Sequence, residues 1–280
     1  MNYKDKIKEF ETHLIEAEKS KNTIDKYLRD IKQFYKWFDN KNYTNVTKEI
    51  LLKYKNYLKE KIDKTSTINS KISSINAYFI WAESELLKIK VIKCQKSLFG
   101  SEDKKLSVAD VKKLIGASKC ERDKLLIETI VRTGIRVSEV SYITVNAIDD
   151  KKAKVNNKSK VRVVLIPSEL CIRLKKYCKD NNIKTGQVFI TRNGTPIDRK
   201  QIWRMMKDLC EKAGVDKTKV FPHNLRHLFA REYFNKNKDI VKLASILGHS
   251  SIETTRIYTM ETEEECRNSI EKLEIFHFRE

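Results

Sequence analysis

Five side chains between positions 136 and 258 of this 280-residue chain could together hold and transfer a phosphoryl group without a metal. Arg136 lies in Thr133-Gly134-Ile135-Arg136-Val137-Ser138-Glu139-Val140, where a glycine turn presents it at the start of a helix. A cation there opposes the helix dipole, so its charge does not serve the helix and is aimed at an anion. Arg226 follows His223 by three residues in Phe221-Pro222-His223-Asn224-Leu225-Arg226-His227, which puts both on one helical face. His249 closes Leu247-Gly248-His249, and Tyr258 stands nine residues later in Thr254-Thr255-Arg256-Ile257-Tyr258-Thr259.

With a lysine added, this is a phosphoryl-transfer kit. Arginine offers a planar fork of donors matched to a phosphodiester. Histidine can hold or move a proton. Tyrosine can be a covalent nucleophile that stores the phosphodiester energy in a protein–DNA bond. No Asp/Glu cluster resembles a two-metal nuclease. Each residue alone has an ordinary reading: Arg136 as an ion-pair partner of Glu139, His223 and His249 as helix-terminus residues, Tyr258 as a core aromatic like Tyr142 or Tyr233. Their joint order and spacing set them apart. His227, directly after Arg226, points to another face of its helix and is read as a supporting, packing residue.

The whole chain must then place these groups against a polyanion. Lys plus Arg number 58 against 38 Asp plus Glu, a net charge of +20 spread along the sequence. Such a field attracts nucleic acid or an anionic membrane surface, although an AT-rich genome also enriches Lys, Asn and Ile. A hydrophobic content of 40% excludes wholesale disorder. The six cysteines include no close pair, which excludes a disulfide scaffold or structural zinc and fits a reducing compartment. Neither a signal peptide nor an eighteen-residue apolar run is present, so a cytoplasmic protein without membrane contact is expected.

The elements read as mainly α. Four amphipathic helices are predicted in residues 1–95: from Tyr3, from Thr23, from a Thr47 cap, and over Thr65 to Leu87 with Ile68, Ile72, Ile75, Phe79 and Leu86 inward. Residues 96–105 form the expected linker and 106–280 the second domain. There Ser107 and Asp110 make a capping-box variant, and a helix over Glu121 to Arg132 stops at Gly134. Short strands over Ala147 to Pro167, with a turn at Asn156-Asn157-Lys158-Ser159, suggest a small antiparallel sheet. The remainder is helical, ending with a helix across Glu263 to Leu273.

This second domain resembles the catalytic domain of the tyrosine recombinase (phage integrase) superfamily, with a layout like the short Xer-like and mobile-element integrases. The resemblance rests on the T-G-x-R-x-x-E, H-x-x-R, L-G-H and tyrosine motifs quoted above. It implies catalytic roles for Arg136, His223, Arg226, His249 and Tyr258, with Glu139 supporting. It also implies a lysine on the hairpin. Asn156-Asn157-Lys158-Ser159-Lys160-Val161-Arg162 matches that hairpin without its glycines. Lys160 is preferred and Lys158 is its rival, since strand alternation gives both one face.

The resemblance extends to the N-terminal bundle, which looks like the family's core-binding (SAM-like) DNA-binding domain. Lys21, Lys26, Lys53, Lys71, Lys158, Arg162 and Arg256 are the expected DNA contacts. The implied activity is site-specific cleavage and rejoining of double-stranded DNA through a 3′-phosphotyrosyl intermediate and a Holliday junction. No cofactor or metal is implied. The implied assembly is a homo-tetramer on two recombination sites, with room for accessory directionality proteins, and the C-terminal helix is a candidate docking element for a neighbouring subunit. Integration or excision of a mobile element and Xer-like resolution both stay open. So do a type IB topoisomerase-like activity and a catalytically silent DNA-binding protein.

Overall fold

The computed structural model describes residues 3–82, 85–93, 105–157, 160–249, 251–260 and 263–272. The chain divides into two units, residues 1–96 and 97–280. Most of the expected linker, the tail after Lys272 and Lys158 lie outside the described residues.

In the first unit α1 (Tyr3–Glu16), α2 (Lys21–Asn40), α3 (Lys48–Lys61) and α4 (Thr65–Trp81) bury their apolar stripes together. The Thr47 hydroxyl caps α3 by accepting from the Ile50 N–H at 3.3 Å. Phe34 sits at the centre, edge-on to Tyr54 and Phe79. The fourth helix is shorter than predicted. It ends at Trp81, a 3-10 turn covers Glu85–Leu87, and Leu86 is 87% exposed rather than inward.

Asparagine side chains hold the extended segment after α4. The Asn76 side chain donates to the Ile89 carbonyl and accepts from its N–H, at 2.9 and 3.1 Å. Asn69 repeats this with Ile92 at 2.9 and 2.8 Å. Two amide side chains seven residues apart thus act as a strand edge for a segment that has no sheet to join.

Two of the expected DNA-contact lysines are committed elsewhere. Asp30 is 2% exposed in α2. Lys71 meets it at 3.3 Å, Lys26 at 3.3 Å, and the Ser74 hydroxyl donates to it at 2.9 Å. Lys26 also donates to the Ser70 carbonyl at 3.1 Å. A buried carboxylate needs paired charge and hydrogen bonds, and these lysines supply them. Lys53 is an exposed partner of Glu49 at 2.8 Å, and Lys21, the first residue of α2, is exposed.

In the second unit, Ser107 and Asp110 form the expected capping box on α5 (Val108–Ala117). The central helix is α6 (Glu121–Thr133), which buries Leu125, Leu126, Ile127 and Ile130. A 3-10 turn over Val137–Tyr142 stands where a helix was expected, and Thr144 caps a short α7 (Val145–Asp149) where strand was predicted. The sheet is one antiparallel hairpin, β1 (Lys152–Asn157) and β2 (Lys160–Leu165), with Val155 opposite Arg162. Ala153, Val155 and Val164 face the core, and Val161, Val163 and Leu165 face out. Then come α8 (Ser168–Asp180), α9 (Arg199–Ala213), α10 (Pro222–Asn237), α11 (Ile240–Leu247), α12 (Glu253–Arg256) and α13 (Glu263–Glu271). Among the described residues no helix is long and apolar enough to cross a membrane.

Asp30→Ala leaves Lys71 and Lys26 without their counter-charge and is expected to destabilise the first unit by about 3 kcal/mol. Urea unfolding followed by the fluorescence of Trp37 and Trp81 checks this, and an unchanged midpoint would remove Asp30 from the account of the fold.

Candidate active site

Two left-handed glycines set the frame. Gly134 ends α6 with φ +62° and donates its N–H to the Ile130 carbonyl at 3.0 Å. A Cβ there would lie 2.4 Å from the Phe229 ring, so both the dihedral and the space demand glycine. Gly248 ends α11 with φ +63°, and a Cβ there would lie 2.4 Å from Cδ of Arg162.

Arg136 opens the 3-10 turn just after Gly134. Its N–H donates to Oε2 of Glu139 at 3.0 Å and its Nη1 to Oε1 at 2.9 Å. Glu139 is 2% exposed. Its Oε2 also accepts from Nη2 of Arg162. Arg162 continues inward, its Nη1 donating to the Ile246 carbonyl at 2.9 Å. The expectation of Arg162 at the DNA backbone is therefore corrected: its guanidinium is bound inside the unit. The signal was present, because Arg162 shares strand parity with buried Val164 and Ile166.

Arg226 projects from α10 and is 1% exposed. Its Nη1 donates to the Gly134 carbonyl at 2.5 Å and its Nη2 to the Leu247 carbonyl at 2.7 Å. These carbonyls stand at the C-terminal ends of α6 and α11, each carrying roughly half a negative charge. Nη2 also meets Nε2 of His249 at 3.1 Å. Among the described residues no carboxylate pairs with Arg226, and its Nε is buried without a partner. Burial and the neighbouring Arg136 and Arg162 push its pKa down to about 10, which leaves it charged at neutral pH.

The remaining groups converge here. His223, in the first turn of α10, has its pKa lowered by burial and by Arg226, Arg136 and Arg199. His249 is lowered to about 4 by burial and Arg226, and its Nδ1 meets the Thr255 hydroxyl at 2.8 Å. His227 is lowered to about 3 by burial and His223. All three are neutral near pH 7. Tyr258 follows α12, 4% exposed, against Ala230, Leu243 and Leu247. Its ring is edge-on to His227, with centroids 4.5 Å apart, and stacks over His249 at 5.8 Å. His227 in turn lies edge-on to His223 at 4.5 Å.

Arg136, His223, His249 and Tyr258 line one cleft of about 450 Å³. A neighbouring cleft of about 490 Å³ shares Arg136 and His223 and adds Arg226, Arg199, Trp203 and Lys207. The structure therefore brings together Arg136, Glu139, His223, Arg226, His227, His249 and Tyr258. Lys160 opens β2, paired in register with Asn157 and two positions before Arg162. Its side chain lies outside the described residues. Arg256 is exposed, 3.7 Å from Glu253. Sequence reasoning passed over Thr255, Arg199, Trp203 and Lys207. The visible signal for the last pair was their spacing of four on one helix face, which puts the ammonium 5.6 Å from the indole.

A cleft of arginines, neutral histidines and a tyrosine can grip a phosphodiester and offer it a hydroxyl nucleophile. Comparison with known proteins supplies the family. The profile of the phage integrase family matches residues 104–265, and that of the phage integrase N-terminal SAM-like domain matches residues 7–86. The chain is 29% identical to tyrosine recombinase XerA of Pyrococcus horikoshii, covering 97% of this chain and 94% of that protein. It is 28% identical to TnP I resolvase of Bacillus thuringiensis, covering 96% and 100%. A crystal structure of XerA recombinase superposes with a TM-score of 0.53 at 25% identity, covering 99% of this chain and all of that one.

Burial pushes the Glu139 carboxyl up, and the hydrogen bonds from Arg162 and Arg136 more than reverse this, holding it below its ordinary range. Its contribution to stability is therefore complete above the unfolded carboxylate pKa of about 4.3 and is lost as pH falls through the lower folded value. Glu139→Gln is expected to destabilise the unit by about 3 kcal/mol at pH 7. Urea midpoints from pH 7 to pH 3 check the sign: the gap between wild type and variant narrows in acid.

Proposed function

This chain belongs to the phage integrase family and is a tyrosine recombinase, and we propose that Arg136, Arg226, His223 and His249 bind the scissile phosphate for attack by Tyr258. The Tyr258 hydroxyl attacks phosphorus in line and releases its proton to solvent, from which Lys160 regains the one it gives to the leaving oxygen. A 3′-phosphotyrosyl bond forms, the bond to the 5′ oxygen breaks, and Lys160 supplies the proton that leaves with it as a 5′-hydroxyl. A 5′-hydroxyl from the partner strand then attacks the phosphotyrosine, restoring the phosphodiester and freeing Tyr258. One phosphodiester is exchanged for another, so neither ATP nor an external energy source is needed. The arginines stabilise charge on the non-bridging oxygens during both steps.

The observation that carries this reading is Arg226. A fully buried guanidinium held by two helix C-termini and a neutral histidine, with no carboxylate paired to it among the described residues, is arranged for an anion that arrives with the substrate. Such an arrangement would be an expensive way to stabilise a fold. Glu139 orients Arg136, and Tyr258 reaches the phosphate through the cleft it already lines. Arg199, Lys207 and exposed Trp203 extend the positive surface from the site along α9. Lys21 and Lys53 provide backbone contacts from the first unit.

The recombinase acts as a multimer on specific DNA sites, in this reading a tetramer on two sites, with α13 docking on a neighbouring subunit. The whole-length match to a protein named TnP I resolvase supports resolution as the reaction class.

The test is a nicked suicide duplex carrying a candidate site, incubated in EDTA with wild type, Tyr258→Phe and Arg226→Ala. Wild type is expected to form a covalent adduct on the peptide containing Tyr258. Tyr258→Phe should form none, and Arg226→Ala should slow adduct formation by at least about 100-fold. Binding without an adduct by wild type would refute an active recombinase. Adding a second site then separates strand exchange from simple relaxation.

A further inference from the structure

Thr255 was assigned no role by sequence, yet its side chain is fully buried and its hydroxyl touches a proposed phosphate ligand. The geometry around His249 fixes where its proton lies. Arginine has only donors, so the 3.1 Å contact between Nη2 of Arg226 and Nε2 of His249 requires Nε2 to accept. A neutral imidazole that accepts at Nε2 carries its proton on Nδ1. Nδ1–H then donates to the Thr255 hydroxyl at 2.8 Å. Nε2 therefore carries a lone pair, turned to Arg226.

That lone pair is the wrong group for a phosphate oxygen. If a phosphodiester occupies the cleft, as the proposed function requires, its oxygens accept from Arg226, and His249 contributes only by donating from Nε2. A neutral ring achieves this by giving up the Nδ1 proton while Nε2 gains one, with no net change in protons. Nδ1 then needs a donor where it previously needed an acceptor. A backbone carbonyl at that position would lock the first state, and an amide N–H would lock the second. A hydroxyl serves both, because it rotates between accepting and donating.

We propose that Thr255 is the positioning residue that permits His249 to change from an acceptor toward Arg226 to a donor toward the transferred phosphate. Its backbone extends the same control to the nucleophile. The Thr255 carbonyl accepts the Tyr258 N–H at 2.9 Å, so one residue anchors both the imidazole and the start of the tyrosine segment. This proposal rests on the recombinase reading.

The experiment compares Thr255→Val, which keeps the shape without the hydroxyl, with Thr255→Ser, which keeps the hydroxyl. On the suicide duplex at saturating protein, Thr255→Ser is expected to cleave within about threefold of wild type. Thr255→Val should lose about 100-fold, the loss of one oriented donor, with duplex affinity and thermal midpoint little changed. A second readout follows the ring directly. In histidine-labelled Tyr258→Phe protein, ¹⁵N NMR should show His249 as the Nδ1–H form alone and with Nε2 protonated on intact duplex. Equal cleavage by Thr255→Val and wild type, equal impairment of both Thr255 variants, or an Nδ1–H tautomer that persists on DNA would overturn the proposal. Duplex binding by wild type without any Tyr258 adduct would instead bring down the recombinase reading on which it stands.

Discussion

The second unit is organised around one buried cation. Arg226 takes its place between the C-terminal ends of α6 and α11, and its two terminal nitrogens join the Gly134 and Leu247 carbonyls. Removing a guanidinium from water is costly unless each lost hydration contact is replaced. Here the replacements are helix dipoles and backbone oxygens rather than a carboxylate. This holds the charge in place without neutralising it. The same two anchors tie the turn that carries Arg136 to the turn that carries His249, so the distance between those groups is set by one side chain.

Glu139 performs the complementary task. Of the three guanidinium groups of this cluster it binds two, Arg136 and Arg162, and leaves Arg226 to the helix ends. Through Arg162 it reaches the end of α11 at Ile246, beside the space left by Gly248. The hairpin, the 3-10 turn and α11 are thereby held through one acid. The balance remains positive, and it depresses the histidines as well. His223 and His249 stay neutral because burial disfavours a charged ring and because protonating either would add charge beside Arg226.

The first unit uses the same physics for a different end. Lys26 and Lys71 sit on a Lys-rich helical face that would suit DNA, but Asp30 is buried between them and takes both. Asn69 and Asn76 similarly convert a helix surface into a backbone template for residues 89–92. Asp30 thereby reaches Lys71, 41 positions away, and the asparagines reach 13 and 23 positions along the chain. Net charge describes the field of the whole chain, whereas the availability of any one lysine depends on what lies across from it.

Local chemistry was legible from the residues alone. Helical spacing, the Thr47 cap, the Ser107–Asp110 box and the glycine stop at Gly134 each depend on neighbours within a few positions, and each stands where the sequence put it. The order of Arg136, His223, Arg226, His249 and Tyr258 was legible for a related reason: their types have few common uses together. The end of α4 at Trp81, the 3-10 turn after Arg136 and the short α7 were not, because a helix and a tight turn share the same apolar positions over one or two turns. Tertiary structure alone decided the directions of the long charged side chains. Arg162 turned inward because an opposite charge and a free carbonyl were available from distant segments, and no local pattern encodes the far side of such a contact.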